Sequence, residues 1–249
     1  MLDSADPVEL SRRFAGPITA VELPGLSGVA GLCAETRFDP GAYDDQLYQT
    51  LQVTFPRSLA RAVPRRRAEF LAGRYLAGTL LRRLGSVQTT VGMGQQRQPL
   101  WPEGFTGSIT HDAGRAICTV APAPAILGID YEPVLPRGQC AEVLAAITAG
   151  GEAGQLTRVF GDPALGTTVL FSAKESLFKA LYPLARDYFE FTDVGLATAY
   201  PSKGLLQLEA LRDLSAIVHR GQVFRLGFRR HGGGILTWLV DGAESRPAG

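Results

Sequence analysis

A chain of 249 residues in which 25 basic and 24 acidic side chains leave a formal charge of +1 has no global electrostatic bias toward nucleic acid or a membrane surface. Its 45% hydrophobic and 20% charged content is that of a soluble globular protein, and the length suits one large domain or two of about 110–130 residues. No uncharged apolar run reaches the ~20 residues that cross a bilayer, the opening MLDSADPVELSRRF lacks the apolar core of a secretory signal, and Cys33, Cys118 and Cys140 lack disulfide or zinc spacing. A cytoplasmic location is expected.

In chain order, residues 1–45 mix short β-like runs, at 18–23 and 29–33, with Pro and Gly punctuation. Residues 57–67 are basic, with Arg57, Arg61, Arg65, Arg66 and Arg67. Phe70, Leu71, Leu76, Leu80, Leu81 and Leu84 then recur at helical spacing, which predicts one amphipathic helix over 64–84 with Pro64 at its start and Gly85 as a stop. A Gly-, Gln- and Pro-rich loop follows at 91–104, then a polar turn over 111–114 and a strand over 116–120. The linker-like APAPA at 121–125 marks a boundary between an N-terminal half, 1–122, and a C-terminal half, 123–249. Beyond it the patterns predict a strand at 126–132, helices near 140–148 and 168–182, and strands near 204–211, 223–228 and 235–240. Both halves mix the two element types, giving an α/β or α+β fold.

Two short stretches concentrate chemistry. In GIDYE, Asp130 and Glu132 close an apolar run, and strand alternation sends both carboxylates to one face about 7 Å apart. In FSAKESLFKA, Glu175 and Lys179 lie one helical turn apart on one face. Three carboxylates and a lysine suit a hard divalent cation that bridges phosphates. Blander readings stand beside this one: DxE as a turn cap before Pro133 or a partner for surface arginines, Glu175–Lys179 as a routine helical ion pair, and His111 as a turn residue. Arg67 and Arg74 share a helix face, with Arg66 at its edge; it is either a solvated basic face or a set of guanidinium forks for phosphate. GxSxG, HExxH, P-loop and GxGxxG motifs are absent.

Taken together, RRRAEFLAGR (65–74), RQPLWPEGFTGSITH (97–111), GIDYEP (128–133) and FSAKESLFKALYP (171–183) resemble the 4′-phosphopantetheinyl transferases typified by the enterobactin-synthesis enzyme. The likeness runs from about Arg65 to Leu184 and fades toward both ends. It implies two similar halves related by a pseudo-two-fold axis, with coenzyme A in the cleft between them, in a monomer. It also implies transfer of the phosphopantetheine arm to a serine of an apo acyl, peptidyl or aryl carrier protein, with release of 3′,5′-ADP.

On the same resemblance, Asp130, Glu132 and Glu175 are magnesium ligands (manganese is the alternative ion). Glu175 is also the base for the carrier serine, and Lys179 contacts the pyrophosphate. His111 and Thr110 hold the 3′-phosphate, with Arg66, Arg74 and Arg97 around the adenosine phosphates. Thr110 stands where many members carry serine, Arg97 where lysine is frequent, and Tyr131 where a small or aliphatic residue is usual. A catalytically silent module that binds coenzyme A or a carrier protein is the second reading. A metal-dependent phosphoesterase is the third, and it would want more His and Asp ligands than this chain offers.

Overall fold

A computed structural model describes residues 7–112, 114–148, 151–185 and 188–242. Among these, the residues up to Ala125 together with Gly242 form one unit, and Ile126–Asp241 forms a second.

The first unit contains α1 (Pro7–Phe14), β1 (Thr19–Ala20), β2 (Leu32–Arg37), α2 (Leu47–Thr50), α3 (Pro64–Arg83), β3 (Gly92–Met93), β4 (Pro99–Leu100), β5 (Phe105–Asp112) and β6 (Arg115–Pro122). Its sheet has the order β1-β2-β6-β5, and β3 with β4 makes a separate ribbon; every pairing is antiparallel. The predicted long helix is α3. Pro64 occupies its first turn, where a missing N–H is harmless, and Gly85 follows its end at φ +80. Leu71, Leu76, Leu80 and Leu81 pack it on Ala116, Cys118 and Val120 of β6. Gly73 allows close approach to β5: a Cβ there would lie 2.9 Å from Ile109 Cγ2.

The expected turn over 111–114 is a correction. β5 continues through His111, paired with Ala116, to Asp112, paired with Arg115. Gly114, at φ +72, takes up the tight reversal. Nearer the N-terminus, the predicted run at 18–23 shrinks to Thr19–Ala20, and the one at 29–33 moves to Leu32–Arg37.

The second unit contains β7 (Ile126–Pro133), α4 (Cys140–Ile147), α5 (Glu152–Phe160), α6 (Pro163–Ala185), β8 (Val194–Tyr200), β9 (Leu205–Ala210), β10 (Val223–His231) and β11 (Gly234–Asp241). The sheet order is β7-β11-β10-β9-β8, again antiparallel at every pair. The helix expected over 168–182 starts earlier, at Pro163, because Gly166, Thr167 and Thr168 hide a buried first turn behind poor helix propensity. It lies across β7, β11 and β10. Leu170, Ala173 and Leu177 anchor it in a core shared with Leu206, Leu208, Leu226 and Ile235. Each unit is thus one antiparallel sheet carrying one long helix, an α+β plan. Among the described residues, no helix is long and apolar enough to cross a membrane.

Candidate functional site

In the second unit the site begins with small residues. Gly128, Asp130 and Glu132 alternate onto the face of β7 that meets α6. A Cβ at Gly128 would collide with the Ser176 carbonyl oxygen, so only glycine lets the helix settle so close. The same helix face hydrogen-bonds to Thr237 of β11, the residue paired with Asp130. Ser172 Oγ lies 2.9 Å and Ser176 Oγ 2.7 Å from Thr237 Oγ1.

That close docking brings one more turn of α6 over the acidic strand. Lys179 Nζ donates to Asp130 Oδ1 at 2.6 Å. Asp130 is buried, and Lys179 remains about a quarter exposed. Burial is the largest influence on Lys179 and opposes its charge. The combined attraction of Asp130, Glu175 and Glu132 outweighs it and holds the ammonium pKa above its ordinary value. Glu175 moves upward too, through burial first and the neighbouring Asp130 charge, against the pull of Lys179. The four groups singled out in GIDYE and FSAKESLFKA therefore share one electrostatic neighbourhood.

Among the described residues, no group of three or more His, Cys, Asp or Glu side chains is disposed to hold a metal ion. The donor set nonetheless fits a magnesium-like ion in kind: three carboxylates, without thiol or imidazole, are the hard oxygen donors such an ion takes. In this arrangement Lys179 supplies the positive charge that faces Asp130.

In the first unit, Ile109 and His111 project from β5 toward α3, and strand alternation turns Thr110 to the opposite face. His111 Nε2 lies 3.3 Å from Arg66 Nη1. Glu69 joins them, with Oε2 at 3.4 Å from Arg66 Nη1 and 3.7 Å from His111 Nδ1. Arg65 reaches the same carboxylate, Nε to Oε1, at 3.2 Å. Thr110 is buried on the other side of its strand, so the structure does not set its hydroxyl beside His111.

Arg97 is exposed in the turn between β3 and β4, with φ +66, a left-handed conformation unusual for a side-chain-bearing residue. Arg67, expected to share a face with Arg74, is held by Asp45 at 3.0 Å and by the Leu59 and Ala60 carbonyls. Arg74 is buried, donates from Nη2 to the Gly92 carbonyl at 3.1 Å, and lies 4.6 Å from the centre of the Phe70 ring. Burial lowers its pKa to about 10, so it stays charged at neutral pH.

Two groups escaped sequence reasoning. Glu69 had a signal, its i+4 spacing from Arg65, but nothing in the sequence pointed it at His111. Lys174 is fully buried and donates to the carbonyls of Ile147, Phe191 and Val194 as well as pairing with Glu152 at 3.3 Å. Its partners come from three separate segments, which local pattern cannot connect.

The second unit is thus an antiparallel sheet bearing a helix whose glutamate and lysine meet a strand-end Asp-x-Glu. Residues 126–228 match the 4′-phosphopantetheinyl transferase superfamily, and residues 55–121 match the 4′-phosphopantetheinyl transferase N-terminal domain. The chain is 37% identical over 183 residues to the 4′-phosphopantetheinyl transferase Svp of Streptomyces mobaraensis, covering 68% of this chain and 71% of that one. It is 35% identical over 150 residues to the 4′-phosphopantetheinyl transferase PptT of Mycobacterium tuberculosis, covering 59% of this chain and 64% of that one. With enterobactin synthase component D of Salmonella typhimurium it shares 40% identity over 122 residues, covering 49% and 51% of the two chains. The matched stretch thus spans about half to two thirds of the length of the last two relatives. The chain belongs to the 4′-phosphopantetheinyl transferase superfamily.

Proposed function

We propose that the protein transfers the 4′-phosphopantetheine arm of coenzyme A to a serine hydroxyl of an apo acyl, peptidyl or aryl carrier protein. A new bond forms between serine Oγ and the pantetheine-bearing phosphorus, the bridging P–O bond breaks, and 3′,5′-ADP leaves. The observation that carries this reading is the Asp130, Glu132, Glu175 and Lys179 group where α6 crosses β7. Displacement at phosphorus asks a protein mainly for positioning and charge neutralisation.

In this reading Glu175 accepts the proton of serine Oγ as that oxygen attacks, since a hydroxyl is a weak nucleophile near neutral pH. Lys179 stabilises charge on the departing phosphate. Asp130, Glu132 and Glu175 would hold magnesium or manganese, which when bound supplies the charge neutralisation a pyrophosphate demands. Arg66 and His111, oriented by Glu69, take the 3′-phosphate. Arg74 and Arg97 contribute further contacts to the adenosine phosphates, while Thr110, buried on the other face of β5, takes no part in this reading.

The test is intact-mass spectrometry of an apo carrier protein incubated with the protein, coenzyme A and magnesium. A gain equal to one phosphopantetheine arm is expected. Coenzyme A binding without any gain, across acyl, peptidyl and aryl carriers, would replace this reading with that of a silent binding module.

A further inference from the structure

The strand that carries Asp130 and Glu132 is held on one side. Among the described residues β7 is an edge strand of its sheet, hydrogen-bonded to β11 alone. Its acidic end is also the end of the ladder. Glu132 pairs with Ile235, and Pro133, opposite Gly234, has no N–H to donate. Glu132 is half-buried there, on the face of Asp130 and within the electrostatic reach of Lys179. Carboxylates that share a face repel one another, so an unsupported strand end would relax by turning Glu132 away.

The neighbouring strand is weak at the same level. β10 and β11 reverse through Gly232 and Gly233, both at positive φ, into Gly234. Three successive glycines have the most backbone freedom to lose and no side chains of their own to pack. Tyr131 supplies the missing contact. Strand alternation points it away from Asp130 and Glu132, and it is 4% exposed. Its hydroxyl donates to the Gly232 carbonyl at 3.3 Å, and its ring meets His231 edge-on with centres 6.3 Å apart. The ring fills the space that a side chain at residue 234 would need. A Cβ on Gly234 would lie 2.8 Å from Tyr131 Cζ and 2.5 Å from the Glu132 carbonyl oxygen. One side chain, rooted between the two carboxylates, thus reaches the tip of the hairpin that pairs with them.

We propose that Tyr131 is a positioning residue for the acidic pair. By tethering the Gly232–Gly234 tip to the end of β7, it keeps Glu132 on the Asp130 side of the strand, where both carboxylates can meet a divalent cation. This role rests on the reading of Asp130, Glu132 and Glu175 as cation ligands, and Tyr131 acts through the backbone of Glu132. A strand end fixed in advance spends less of the ion's binding energy on ordering.

The test uses the full-length protein with manganese alone as the probe. Bound ion is read by electron paramagnetic resonance, alongside amide hydrogen exchange over residues 131–135 and 231–235. Tyr131→Leu removes ring and hydroxyl, so manganese binding should weaken about tenfold, the scale of lost outer contacts at metal sites. Exchange in both stretches should quicken. Tyr131→Phe keeps the packing and gives up one hydrogen bond, so its loss should be about threefold, and it serves where the leucine variant fails to fold. In transfer assays both variants should need more magnesium for half-maximal rate, with turnover at saturating magnesium close to that of the unmutated protein. Manganese binding unchanged in both variants would overturn the proposal, whether or not exchange quickens. So would lower turnover with the magnesium requirement unmoved, which is the mark of a merely structural tyrosine. An unmutated protein that binds no manganese would overturn both this role and the ligand assignment. Manganese binding that the variants weaken, without any carrier modification, would support the role of Tyr131 and remove the transfer reading.

Discussion

Lys174 and Glu175 are neighbours in sequence, both influenced first by burial, but Lys174 is enclosed by its own partners while Glu175 sits beside Asp130 and Lys179. The Lys174 ammonium is enclosed by three backbone carbonyls and Glu152, with Nζ 2.6 Å from both the Ile147 and Val194 oxygens. Burial lowers its pKa, and Glu152 opposes that shift. Lys174→Met would strand the Glu152 carboxylate and three carbonyls, so urea denaturation should show a loss of about 3–5 kcal/mol. Adding Glu152→Gln should return part of that loss; a strictly additive double mutant would mean the pair is not coupled. Asp130→Asn is the complementary case. It breaks the 2.6 Å pair with Lys179, which is about a quarter exposed, so a modest fall in melting temperature is expected while transfer to a carrier falls by at least 100-fold, a loss of about 2.7 kcal/mol in transition-state stabilisation. Retained transfer, read by carrier mass, would remove Asp130 from the reaction.

At the scale of elements, the site depends on how closely α6 lies on β7. Gly128 faces the Ser176 carbonyl and Ala180, and Ser172 and Ser176 share the Thr237 hydroxyl. Gly128→Ala must push the helix off its strand. A destabilisation of about 1–3 kcal/mol is expected in chemical denaturation, together with reduced transfer because Lys179 and Glu175 move with the helix. Full activity in that variant would show that the separation of α6 and β7 has slack.

This contact also explains what was legible. The period-2 pattern of GIDYE and the i, i+4 spacing of Glu175 and Lys179 are local, and both appear in the sequence. So are the apolar stripe of α3 and its proline start. The serine–threonine contact between α6 and β11 joins residues more than sixty positions apart, and no local period reports it. The opening turn of α6 was hidden because tertiary burial, not propensity, makes Thr167 and Thr168 helical. His111 read as a turn residue because His-Asp-Ala-Gly is turn-like in composition, whereas pairing with β6 keeps it extended.

At the scale of the whole chain, the two groups of candidate residues fall in different units, each built around its own sheet and helix. Asp130, Glu132, Glu175 and Lys179 lie in the second unit, and Arg66, Glu69 and His111 lie in the first. In the proposed reaction the acidic group would need a cation to meet a pyrophosphate, while the basic group would meet a phosphate with charge of its own. Chelation should therefore separate the two contributions. EDTA should abolish transfer, and magnesium in excess should restore it. Preference for coenzyme A over dephospho-coenzyme A, measured as a ratio of dissociation constants, should persist without metal. His111→Ala should reduce that ratio with or without the ion. A ratio that collapses on chelation in the unmutated protein would mean that the basic group binds only once the metal is in place, and the two units would then have to be treated as one coupled site.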